Sequence, residues 1–130
     1  MTREPRNSPI VPSYGESSLA DLSNSILGSL TDDPASNVLG LPETGRACLL
    51  IIDGLGLELL RAHQAAAPFL AELAFNSRPL TAGFPSTTVT SLASLGTGLV
   101  PSVHGMLGYQ VAIPGTGRLL NGYFRGMLGG

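Results

Sequence analysis

Two groups of residues in this chain can do chemistry together. One is Asp53, which closes the apolar run Ala47–Ile52 and precedes Gly54. The other is the hydroxyl-rich stretch Phe84-Pro-Ser-Thr-Thr-Val-Thr-Ser91. A carboxylate ligates a hard or borderline cation such as Zn²⁺. A cation beside a Thr or Ser hydroxyl lowers its pKa and makes it a nucleophile. If the hydroxyl stretch opens a helix, its free N–H groups can receive a phosphate. On residue type alone Ser86, Thr87, Thr88, Thr90 and Ser91 compete for that role, and each has the ordinary alternative of a helix N-cap. Asp53 has its own alternative, as the cap of the turn that Gly54 begins.

A wider pattern surrounds these residues. It reads Asp53-Gly54, then Pro85-Ser-Thr-Thr88, then Thr97-Gly-Leu-Val-Pro101-Ser-Val-His104-Gly105. From about Ala47 to Tyr109 the chain resembles the alkaline phosphatase superfamily, most closely its nucleotide pyrophosphatase/phosphodiesterase branch. The resemblance implies an α/β fold with a mostly parallel central sheet. It implies Thr88 as nucleophile, selected both from Pro85 forward and from Thr97-Gly98 backward. It implies Asp53 and Thr88 as ligands of one of two zinc ions, and a phosphate ester or nucleotide as substrate. The backbone N–H of Val89 would donate to a phosphoryl oxygen. Ser91 stands where the family usually has Asn, so an amide donor is replaced by a hydroxyl with one proton to give. His104 would be structural.

Composition narrows the alternatives. The chain is 43% hydrophobic and 12% charged, with net charge −2. That gives no electrostatic basis for binding a nucleic-acid polymer or an anionic membrane. No Asp, Glu, Lys or Arg lies between Arg78 and Arg118, so a phosphate site there must take positive charge from cations and helix ends. A single Cys48 excludes a disulfide framework, and its place in the apolar run predicts a buried thiol. The N-terminus has no apolar segment of a secretory signal, which by default implies a cytoplasmic location. Gly54-Leu-Gly56 fails the dinucleotide fingerprint, because Leu59 occupies the third glycine position. His63 sits in a polar stretch and reads as a solvated helix residue.

The elements that must position the site follow from periodicity and punctuation. Residues 1–16 read as a flexible lead-in. Leu19, Leu22, Ile26, Leu27 and Leu30 recur at helical spacing after Ser17 or Ser18, which predicts a helix over 18–30 with that stripe buried. Ala35 to Arg46 is a connector. Ala47–Ile52 reads as a central strand covered on both faces. A helix starts near Leu57, a second opens at Pro68 with Phe69, Leu70 and Leu73 inward, and 78–83 is a possible strand. Val89 to Leu95 forms the helix behind the nucleophile. Tyr109–Ile113 and Arg118–Leu120 flank a Pro-Gly turn as a hairpin. Residues 17–120 then form the N-terminal part of a phosphodiesterase-like domain, and 121–130 an atypical tail.

The later metal ligands that the resemblance calls for are missing, since no Asp or Glu follows Glu72. The sequence thus reads as an N-terminal piece, inactive alone and open to a partner chain that completes its sheet. Two other readings stand beside it: a non-catalytic phosphate- or nucleotide-binding module, and a non-enzymatic remnant.

Overall fold

The computed structural model describes residues 10–121; the readings for residues 1–9 and 122–130 lie outside them. Five α-helices and one two-stranded sheet make up the described chain. In order they are α1 (Leu19–Thr31), α2 (Leu57–Ala62), a 3₁₀ turn (Gln64–Ala66), α3 (Pro68–Phe75), α4 (Thr88–Thr97), α5 (Pro101–His104), β1 (Gln110–Ala112) and β2 (Leu119–Asn121). The sheet is antiparallel, with Val111 opposite Leu120. Fold class is therefore mixed helix and strand, and a mostly parallel layered sheet is not formed among the described residues. One isolated parallel bridge, Ser18 to Thr81, is found outside the hairpin.

Helix α1 begins as its sequence dictates. The Asp21 carboxylate accepts from the Ser18 N–H at 2.8 Å and from the Ser18 hydroxyl at 2.7 Å, so the N-cap is fixed by its own first turn. The buried face differs from the expected one. Ala20, Asp21, Ser25, Gly28 and Ser29 are buried, whereas Leu27 and Leu30 are exposed. Ser25, Gly28 and Ser29 meet the connector that follows α1, while Ser23 and Asn24 bond the end of α4. Fully buried Ser18, Ser25, Thr90 and Ser94 belong to these two helices and the α1 cap. No buried side-chain polar atom among the described residues lacks a partner.

The connector after α1 folds back along it. Leu39 N–H donates to Ser25 Oγ at 3.2 Å, Thr44 N–H to the Ser29 carbonyl at 3.1 Å, and the Ser29 hydroxyl to the Pro42 carbonyl. Asn37 closes the loop between them with two bonds to the Leu41 backbone.

Ala47–Ile52 departs most from expectation. It joins no ladder, and its Leu50 is 75% exposed, with Leu49, Ile51 and Ile52 also exposed. An apolar run is buried only if neighbours supply edge partners and cover, and among the described residues no strand pairs with it. Cys48 is exposed for the same reason. Residues 78–83 likewise form only the bridge at Thr81. In α3 the buried residue is Ala71, while Phe69 and Leu73 are exposed, so the helix turns its smallest face inward. The expected hairpin and the helices near 57, 68 and 89 are present.

Candidate active site

Thr87, not Thr88, caps α4. Its Oγ1 accepts from the Thr90 N–H at 3.3 Å and lies 2.9 Å from Thr90 Oγ1. Thr90 is fully buried in that contact. Two of the competing hydroxyls are thus engaged in starting the helix. Thr88, the first residue of α4, is left with its hydroxyl free to point outward. It donates toward both Asp53 oxygens, at 3.2 Å to Oδ1 and 3.4 Å to Oδ2. The positive end of α4 faces that carboxylate, a favourable placement for an anion.

Asp53 reaches this position through a turn. Gly54 follows it at φ +74°, a left-handed conformation that a side chain resists. The Leu55 N–H then donates back to the Ile52 carbonyl at 3.4 Å. The N–H groups of Thr88 and Val89 have no hydrogen-bond partner among the described residues, as expected in the first turn of a helix. Ser91 Oγ is also unpartnered there and lines the same groove as Asp53 and Thr88. That groove has a volume of about 630 Å³ and is walled by Leu49, Ile51, Leu22 and Leu92. All four sequence-chosen residues, Asp53, Thr88, Val89 and Ser91, therefore stand at one end of α4. Ser86 lines the groove too but makes no bond to Asp53.

The downstream motif fastens this helix. Thr97 Oγ1 donates to the Ala93 carbonyl at 2.7 Å, and Gly98 ends α4 in the left-handed region at φ +66°. Pro101 opens α5, and Gly105 closes it at φ +72°. Between them His104 Nδ1 accepts from the Met106 N–H at 3.0 Å, which leaves Nε2 to carry the proton. Nε2 then donates to Ser94 Oγ at 3.0 Å. His104 thus ties α5 to the buried side of α4, away from Asp53.

The profile of the type I phosphodiesterase / nucleotide pyrophosphatase family matches residues 47–123. The chain belongs to this family. No curated protein and no solved structure matches it. The family's match begins at the apolar run and omits α1, although α1 is the helix against which the motif-bearing α4 packs.

The fit of a metal centre follows from the donors. Asp53 and Thr88 offer oxygen ligands to one cation. Among the described residues no group of three or more His, Cys, Asp or Glu side chains comes together. The two residues fit part of one site, and the described chain does not assemble a two-zinc set. Residues important to the geometry but not evident from the sequence are Ser13, Tyr14, Ser23 and Asn24. Each acts on α4 or its approach loop from more than sixty positions away, a distance at which no local pattern marks a contact. Among the described residues no helix is long and apolar enough to cross a membrane.

Proposed function

We propose that this site belongs to a metal-dependent hydrolase of phosphate esters, of the phosphodiester or nucleotide pyrophosphate class, with Thr88 as nucleophile. The observation that carries the reading is the Thr88 hydroxyl directed at both oxygens of Asp53 across 35 positions of sequence, at the first turn of α4. A cation such as zinc held by Asp53 and Thr88 would lower the hydroxyl pKa and screen phosphoryl charge. The chain's own residues do the rest. Asp53 orients the hydroxyl and accepts its hydrogen bond. The Val89 N–H and the Ser91 hydroxyl donate to a non-bridging phosphoryl oxygen, in a region with no charged side chain between Arg78 and Arg118. The apolar run 47–52 is where further strands, from a partner or elsewhere, would complete a parallel sheet under Asp53.

The test is zinc-dependent hydrolysis of a nitrophenyl phosphodiester. It is run on this chain and on the chain joined to a family-like C-terminal portion that brings further metal ligands. Turnover in the joined protein should fall about a thousandfold or more in Thr88→Ala, as when a nucleophile is removed. Asp53→Ala should raise the zinc concentration that turnover requires. Turnover that survives Thr88→Ala unchanged overturns the reading. A phosphate-binding module is the second reading, favoured by the free N–H groups of Thr88 and Val89. It predicts binding of inorganic phosphate without zinc and without turnover.

A further inference from the structure

The approach to the nucleophile is held by residues that the family match does not include. Residues 13–19 run beside 81–84. The Ser13 N–H donates to Thr81 Oγ1 at 2.9 Å, the Thr81 N–H to the Ser17 carbonyl at 2.8 Å, and the Leu19 N–H to the Thr81 carbonyl at 3.0 Å. Residues 12–16, which the sequence placed in a flexible lead-in, thus form with Ser17 a turn bonded to the body of the protein.

Beyond Thr81 the chain leaves this pairing and turns toward Thr88. Gly83 is buried, and a Cβ there would lie 3.0 Å from Pro101 and 3.4 Å from the Tyr14 hydroxyl. The Phe84 N–H donates to that hydroxyl at 3.0 Å. Pro85 has no N–H to give, and the Thr87 N–H is bonded within the turn, to the Pro85 carbonyl at 3.0 Å. Between the Thr81 anchor and the Thr87 cap, the Phe84 N–H to Tyr14 bond is the hydrogen bond that ties the turn to another part of the described chain.

We propose that Tyr14 is a positioning residue, whose hydroxyl holds the Phe84–Thr87 turn and thereby sets where Thr88 meets Asp53. The Thr88 contacts of 3.2 and 3.4 Å are already long for an O–H···O bond. A shift of a few tenths of an ångström in the turn therefore decides whether the hydroxyl reaches the carboxylate. Tyr14 acts through the backbone of Phe84 and touches no reacting atom. The catalytic meaning of this role rests on the hydrolase reading, but the positioning itself does not.

The experiment compares the full chain with Tyr14→Phe, which removes only the hydroxyl and keeps the ring. NMR reads amide hydrogen exchange at Phe84 and the γ-methyl shift of Thr88. Losing one hydrogen bond should speed Phe84 exchange about fivefold. It should also shift the Thr88 methyl, while amides in the middle of α1 change less than about twofold. Faster exchange spread evenly over α1 and α4 would reduce Tyr14 to a general stabilising contact and overturn the proposal. So would unchanged Phe84 exchange. A zinc-dependent turnover assay on the joined protein separates the two readings. With positioning, Tyr14→Phe lowers kcat several-fold at constant KM. If wild type shows no turnover, the hydrolase reading fails, and the Phe84 and Thr88 signals still decide the role of Tyr14.

Discussion

The α1–α4 seam and the Ala47–Ile52 run carry the two halves of one site and are built on opposite terms. The seam is made of small hydroxyl residues, is buried, and leaves no polar atom unsatisfied among the described residues. The run is the most apolar stretch of the chain and is exposed along its length. Thr88 stands on the first and Asp53 at the end of the second. Burial here follows from having a neighbour of matching shape rather than from hydrophobicity. Ser18, Ser25 and Ser94 are covered because a neighbour lies over each and its hydroxyl finds a partner there, in Asp21, the Leu39 N–H and His104 respectively. Leu50 is uncovered because no strand lies beside it. Thr88 is thus mounted on a helix tied to α1, and the Asp53 that accepts its hydrogen bond ends a run that joins no ladder.

The strongest way to break the seam is at Gly98. Its φ of +66° disfavours any side chain, and an added Cβ would lie 2.5–2.7 Å from the Asn24 side-chain amide. Asn24 Nδ2 donates to the Gly98 carbonyl at 3.1 Å, so the neighbour cannot withdraw without losing that bond. Gly98→Ala should cost about 1–3 kcal/mol in urea unfolding, the range for a strained left-handed residue. A stability within error of wild type would mean that α4 ends differently in solution.

Ser25→Ala is a milder cut on the same helix, where α1 meets its connector. Ser25 is fully buried and its hydroxyl receives the Leu39 N–H. Removing it leaves that donor without its partner and should lower stability by about 1 kcal/mol. The matching change in the other region is Leu50→Lys, which swaps an exposed apolar residue for a charge. Its expected effect on the same unfolding curve is about 0.5 kcal/mol or less, as for a surface position, with reduced self-association as a second readout. A larger loss at Leu50 than at Ser25 would reverse the comparison and show the run covered in solution.

The sequence made the punctuation legible and the partners illegible. Ser18, Pro68 and Gly98 begin or end helices by chemistry confined to one turn. The Pro-Gly turn between β1 and β2 is local in the same way, and each of these features was readable within a few residues. The Asp53–Thr88 pair was readable through its motif context, not through geometry. Which face of α1 is buried was not readable, because Leu19, Leu22 and Ile26 state a preference for cover while the helix opposite settles who receives it. The run 47–52 failed for the same reason, since continuous hydrophobicity describes a strand with neighbours and cannot supply them. Tyr14 was hidden among prolines, with its partner Phe84 seventy positions on.

The smallest expected effect lies at the exposed turn that follows α1. Asp33 accepts from the Ser36 hydroxyl at 2.7 Å and from the Ala35 N–H at 3.1 Å. The Ser36 bond first, and the Ala35 amide after it, hold the carboxyl below its ordinary value of 3.8. A carboxyl whose folded pKa is lowered adds stability above its unfolded pKa, and that contribution is lost as pH falls through the folded value. Ser36→Ala removes the larger cause and should move the Asp33 titration, followed by carboxyl ¹³C shift, back toward the ordinary value. The stability gap between wild type and Ser36→Ala should be present at neutral pH and close as acid protonates Asp33 in both. Equal Asp33 titrations in wild type and Ser36→Ala would show that the hydroxyl support does not extend to the end of this turn.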